Sequence, residues 1–344
     1  MDLDEVRDAA RARLKGVCAV YKVCDGAPDR LCQGIKYDQL PRMGGAGSGA
    51  SFHNNFLALQ RVRLRMRVVG PDVRPVTETE LLKRRLSMPV LGASTSGTTA
   101  SLGGAITEAE LCEATVQGCK AAGTMSARGD GADTQAHNPG PEAIARAGGW
   151  GVQVFKPVEQ GLLVERVRAA ERAGVAAVGV DIDGFGSPAM ARMGFPTFRK
   201  TPEELRELVR ATRLPFLFKG VMTVEDARSV LESGAAAIGV SNHGGRVCDH
   251  TPGVAEVLPG IAALVEGRMT VIADGGVRTG YDALKYLALG ADAVMVGRDL
   301  LRAAVGGGAE GVRLHMEFMR ASLAAAMRMT DCADLAAVGP HILC

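Results

Sequence analysis

VLESGAAAIGV, residues 230–240, reads as a helix end, a glycine and then a short apolar strand. The same outline recurs as AAERAGVAAVGV at 169–180 and LALGADAVMV at 287–296. Gly174, Gly234 and Gly290 each fit the position after a helix, where the backbone turns to positive φ. They stand 60 and 56 residues apart, about twice a βα repeat, so each gap should hide another strand. FLFK (216–219) and VIAD (271–274) supply them. Short strands that are apolar throughout, separated by amphipathic helices, belong to a parallel sheet buried on both faces. Counting along the chain gives eight: 89–93, 124–127, 152–155, 177–182, 216–219, 237–241, 271–274 and 293–296. Eight parallel strands can close, so the fold expected is α/β, a (β/α)8 TIM barrel. An open doubly wound sheet is the rival, but no GxGxxG follows the first strand. The run Gly44-Gly45-Ala46-Gly47-Ser48-Gly49 follows no strand and reads as a flexible turn. Residues 1–86 are expected to form an N-terminal extension of helices, turns and a short strand pair packing on the barrel. Residues 87–344 should hold the barrel and a C-terminal helix.

The bulk composition agrees with that architecture. The chain has 344 residues, 47% hydrophobic, with 44 glycines and only 4% aromatics. Small residues at tight turns and helix–strand contacts suit a compact α/β protein. Lys+Arg 40 against Asp+Glu 38 leaves a net charge of +2, which argues against a nucleic-acid binder. Arg61, Arg63, Arg65 and Arg67 alternate with apolar residues and read as a half-exposed strand. The first residues, MDLDEVRDAARARLKG, are helical without an apolar signal core, and no run of about 18 apolar residues exists. The reading is a cytoplasmic protein with no membrane partner. Its 8 cysteines are then expected as reduced thiols. Cys18, Cys24 and Cys32 lack a usual zinc or iron–sulfur spacing, so no metal is expected.

In a barrel the chemistry sits where strands end. Here the ends are polar: Ser94-Thr95-Ser96 after the first strand, Asp181-Ile182-Asp183 after the fourth, Lys219 after the fifth. SNHGGR (241–246) follows the sixth, Asp274-Gly275-Gly276-Val277-Arg278 the seventh and Gly297-Arg298 the eighth. Loops after the last two strands commonly build a phosphate site. The glycines let backbone N–H groups approach an anion, and Arg278 and Arg298 add charge-assisted contacts. Lys219 ends an apolar strand and needs a negative group beside it. His243 can take a proton, and Arg246, three residues on, can hold a carboxylate by two parallel bonds. Together they fit a substrate with a hydroxyl beside a carboxylate. Asp181 could orient the imidazole.

FKGVMTVEDA (218–227), SNHGGR (241–246) and DGGVRTGYDALKYLALGADAVMVGR (274–298) closely resemble the FMN-dependent α-hydroxy acid oxidases and dehydrogenases, the family of glycolate and lactate oxidases. The similarity is strong over about 175–330 and weaker over 48–155. The resemblance implies flavin mononucleotide as cofactor and a small-molecule 2-hydroxy acid as substrate, oxidised to a 2-oxo acid, in a homotetramer or homo-octamer. It implies that His243 is the base, that Asp181 pairs with it, that Arg246 binds the carboxylate and that Lys219 contacts the flavin N1 region. Ser94, Thr95, Ser96, Gln153 and Ser241 would meet the flavin ring. Asp274 would bind the ribityl chain, and Gly276, Arg278, Gly297 and Arg298 the phosphate.

The chain also departs from that family, as a divergent member. The tyrosine expected before the SGA-like stretch is replaced by the Gly44–Gly47 neighbourhood. Phe155 stands where a second active-site tyrosine is expected. Gly184-Phe185-Gly186-Ser187 occupies the place of a second carboxylate-binding arginine. Arg128, Arg192, Tyr21 and Tyr37 are residues of the right type to compensate. Two other functions stand as rivals: an FMN-dependent isomerase resembling type 2 isopentenyl diphosphate isomerase, a family that shares the barrel and the phosphate loops but not the SNHGGR pair, and a flavin-binding protein without turnover, which the lost tyrosines suggest.

Overall fold

The computed structural model describes residues 1–15, 17 and 43–344. A two-stranded antiparallel hairpin, β1 (Thr79–Leu81) and β2 (Arg84–Leu86), precedes eight parallel strands. These are β3 (Val90–Thr95), β4 (Ser126–Arg128), β5 (Gly151–Phe155), β6 (Ala177–Asp181), β7 (Phe216–Val221), β8 (Ala237–Val240), β9 (Thr270–Ala273) and β10 (Ala293–Val296). They close in chain order, with β10 beside β3. Each of the eight apolar runs therefore became a barrel strand.

Side chains alternate between two cores, as the pleat requires. Leu91, Ala93, Ala127, Val152, Val154, Leu217 and Met295 fill the barrel interior. Phe216, Phe218, Val178 and Val180 face the surrounding helices. Leu81, Leu82 and Leu86 of the hairpin belong to the interior cluster and plug one end of the barrel. At that end, Ser87 N–H bonds to Gly123 O just before β3 and β4, and Arg84 lies over the Trp150 ring just before β5. The plug therefore closes the end at which strands begin, and the ends where strands finish stay open.

N-terminal to the barrel, a helix at Leu3–Arg13 starts from an Asp2/Glu5 capping box and packs on the long helix Arg298–Met329. A second helix, Ala50–Arg61, lies against the loop after β8. The arginine stretch beyond it is extended, but it makes a single bridge, Leu64 to Leu343, with main-chain bonds to Ile342, Cys344 and Met329. Its arginines at 61, 63, 65 and 67 are exposed. The glycine run at 44–49 is a turn, yet it is pinned. Ala46 N–H bonds to Gly245 O at 2.7 Å, and Ser48 donates to Asp249 from both its backbone N–H and its hydroxyl. No helix among the described residues is long and apolar enough to cross a membrane.

Candidate active site

One cleft opens at the carboxyl ends of the strands. Ser94, Thr95, Ser96, Lys219, His243 and Arg246 line it, together with Asp274, Gly276, Arg278, Gly297 and Arg298. Of the other expected residues, Ser241 and Asp181 lie behind the lining and support it. Gln153 lies elsewhere. The interior residues of β5 are Val152 and Val154, so Gln153 and Phe155 point outward. The Gln153 amide oxygen sits over Gly140, in the helix layer. The period of 2 thus corrects the expectation that Gln153 meets the flavin, and it puts Lys156, not Phe155, on the cleft.

A row of alternating charges runs under the cleft floor. Lys219 Nζ donates to Ser241 Oγ at 3.0 Å and lies 3.1 Å from Asp274 and 3.6 Å from Asp181. Ser241 Oγ in turn donates to Asp274 at 2.7 Å. Lys156 Nζ donates to the other Asp181 oxygen at 2.8 Å. Burial works against every one of these charges. For Asp181, Lys156, Lys219 and then His243 outweigh burial and hold the carboxyl well below its ordinary range. Burial is likewise the largest effect on Lys219, yet Asp274, Asp181 and Asp183 together keep its ammonium above the usual lysine value. Asp130 differs: burial pushes it up to about 6, against the pull of Lys156 and Arg166.

His243 sits on a tight loop after β8. Its own φ is +57°, and Gly244 and Gly245 follow at +61° and +78°. A side chain at Gly245 would overlap the Phe52 backbone, so the loop and the helix Ala50–Arg61 touch main chain to main chain. Asn242 locks the loop further, accepting from Asn55 Nδ2 at 2.7 Å and Gly245 N at 3.1 Å. The partner of His243 Nδ1 is Asp183, at 3.0 Å. Asp181 was expected there. It is taken by the two lysines because β6 ends at Asp181 and a 3-10 turn begins at Ile182. That turn carries Asp183 across to the loop, against Gly220. A carboxylate on Nδ1 fixes the proton there and leaves Nε2 as the acceptor. Arg246 is half-buried, donates to Ser101 Oγ at 3.0 Å, and is lowered to about 10 by desolvation, so it stays charged at neutral pH.

At the other end of the cleft, β9 and β10 are neighbours, which sets their two loops side by side. Arg278 is held by Asp299 at 3.0 Å. Arg298 is clamped more tightly than expected. It donates to Met43 O, Gly44 O and Gly244 O, and it lies 4.1 Å over the Phe52 ring, joining three segments at the cleft rim.

Two groups named as compensators do not reach the cleft. Arg128 is fully buried outside the barrel, with Glu108 and Thr115, and Arg192 is exposed. Tyr21, Tyr37, Cys18, Cys24 and Cys32 lie outside the described residues. The five described cysteines are all free thiols. Lys156 and Asp183 are the residues that sequence reasoning missed. Asp183 was visible as the second acid of a strand end, but nothing local said which acid would turn toward the loop.

The cleft fits a flavin mononucleotide on structural grounds. A Cβ added at Gly297 would meet nothing nearer than 3.6 Å, so the backbone there is bare toward the cleft. Ser94 Oγ is buried without a hydrogen-bond partner. Lys219, Asp274, Arg278 and Arg298 then offer charges along one wall. The comparisons agree. The profile of the FMN-dependent dehydrogenase family matches residues 41–200 and 189–344. 2-Hydroxyacid oxidase 1 of Homo sapiens is 30% identical over 85% of this chain and 87% of its own length. Glycolate oxidase 3 of Arabidopsis thaliana is 29% identical over 88% and 91%. A crystal structure of mandelate oxidase with (S)-2-phenylpropionate superposes with a TM-score of 0.77 at 28% identity, covering 100% of this chain and 97% of that one.

Proposed function

The chain belongs to the FMN-dependent dehydrogenase family, and we propose that it oxidises a 2-hydroxy acid to the 2-oxo acid. One observation carries this reading. A histidine oriented by Asp183 at 3.0 Å and a half-buried arginine three residues along the same loop share the wall of one cleft. Bound FMN supplies a two-electron acceptor. Everything else falls to the protein. Arg246 holds the substrate carboxylate by parallel N–H bonds and so orients the carbon that bears the hydroxyl. His243 accepts a proton at Nε2, and Asp183 stabilises the imidazolium that results. Lys219, anchored by Asp181 and Asp274, places a fixed positive charge in the cleft wall where negative charge can be met. Ser94, Thr95 and Ser96 would border the flavin ring; Asp274, Gly276, Arg278 and Gly297 would hold the ribityl chain and the phosphate. Arg298 fixes the rim between them.

The test is direct. The purified holoprotein is titrated anaerobically with a panel of short 2-hydroxy acids while the visible flavin band is followed. At least one acid should bleach it and yield the matching 2-oxo acid. His243→Ala should keep the yellow colour and lose the bleaching. Bleaching retained in that variant removes His243 from the reaction, and a wild-type protein that no acid bleaches removes the function. A cytoplasmic homotetramer or homo-octamer completes this reading; light scattering of the holoprotein checks the assembly.

A further inference from the structure

Resting on that reading, we propose that Lys156 holds the substrate, its ammonium joining Arg246 on the carboxylate of the 2-hydroxy acid and so deciding which acids are accepted. Lys156 directly follows β5, and after Val152 and Val154 it takes the next inward place. It is 7% exposed and lines the cleft with His243 and Arg246. Both of its ends are fixed. Its backbone N–H donates to Asp130 at 2.6 Å, and its Nζ donates to Asp181 at 2.8 Å. Room for its stem comes from Gly184: a Cβ there would lie 2.8 Å from Lys156 Cδ and 3.0 Å from Pro157 Cδ. The stretch Gly184–Ser187 brings no cation of its own, and the neighbouring strand end sends one across it.

An ammonium has three N–H donors. Asp181 takes one, and among the described residues no second acceptor bonds Lys156 Nζ. Donors left over in a mostly buried cleft wall are costly unless a ligand accepts them. An oxyanion is the ligand that fits, because Lys156 and Arg246 are both cations in the lining of this cleft. In a 2-hydroxy acid that group is the carboxylate. Lys156 thus supplies the second cation that a firmly oriented carboxylate needs.

The probe is pyruvate, a 2-oxo acid, with pyruvamide as its uncharged counterpart. Binding to the oxidised holoprotein is read from the perturbation of the flavin band. Lys156→Met should keep its FMN, weaken pyruvate binding about 100-fold and leave pyruvamide nearly unchanged, as the loss of one charge-assisted contact implies. Its KM for the best hydroxy acid should rise in step, with kcat changed less than about 5-fold. Lys156→Arg should recover most of the affinity. Gly184→Ala, which keeps the charge but crowds the stem, should weaken pyruvate about 10-fold, and it carries the test if Lys156→Met does not fold. Pyruvate binding within about 3-fold of wild type in yellow Lys156→Met or in yellow Gly184→Ala overturns the proposal. A wild type that bleaches normally while its pyruvate affinity ignores Lys156 sinks this inference alone. A wild type that no acid bleaches, yet whose pyruvate binding needs Lys156, sinks the oxidase reading instead.

Discussion

Asp183→Asn should slow substrate-driven flavin reduction by about 30- to 1000-fold while leaving the cofactor in place. His243 Nδ1 and Asp183 Oδ1 are 3.0 Å apart, with side chains only 14% and 12% exposed. When the imidazole takes its proton, this contact becomes an ion pair. Two unit charges at that separation attract by about 5 kcal/mol at an effective dielectric of about 20. The asparagine keeps a hydrogen bond of similar shape but only a dipole, so it retains part of that energy. A net loss of about 2–4 kcal/mol remains, and each 1.4 kcal/mol is about tenfold in rate. The assay is anaerobic stopped-flow reduction at saturating hydroxy acid, with FMN content measured on the same sample. Asp181→Asn is the control, because Asp181 is bonded to Lys156 and not to the imidazole. It should raise KM and loosen FMN, yet slow reduction less than about tenfold in the molecules that keep their flavin. A Asp183→Asn enzyme within about threefold of wild type would refute this assignment. So would an Asp181→Asn enzyme slower than the Asp183→Asn one.

Three other outcomes follow from the same geometry. Gly220→Ala should slow reduction by about tenfold or more without releasing FMN, because φ at 220 is +96° and the new Cβ would overlap the Asp183 carboxyl; the stopped-flow assay reads it. Lys219→Met should yield colourless protein and lower the unfolding free energy in urea by about 3–5 kcal/mol, since Asp181 and Asp274 lose their shared cation. Asp299→Asn should lower that free energy at pH 7 by about 2 kcal/mol. Burial opposes the Asp299 charge, but Arg278 and Arg302 outweigh it and bring the carboxyl down to about 2. A lowered carboxyl contributes stability that is present above its unfolded value and lost as pH falls through the folded one. The gap between variant and wild type should therefore close below about pH 4 in urea unfolding; a gap that widens in acid would contradict the sign.

Much of the fold was legible because its signals are local. A glycine after an amphipathic helix and a short apolar run after the glycine need no distant residue to be recognised. The same holds for the loop chemistry of SNHGGR and for Lys219 at the end of FLFK. What the chain could not reveal was facing at strand ends. Asp181 and Asp183 are two residues apart, and alternation would put both on one side. The strand stops at Asp181, so the turn, not the pleat, sends Asp183 to His243. At β5 the register is set by pairing with β4 and β6, and it turned Gln153 to the helices and Lys156 to the cleft. Composition and periodicity in this sequence determined a closed barrel and the loops where its chemistry lies. Which carboxylate meets which cation was decided only by tertiary structure, because buried charges settle by distances between strands that lie 25 to 60 residues apart in the chain.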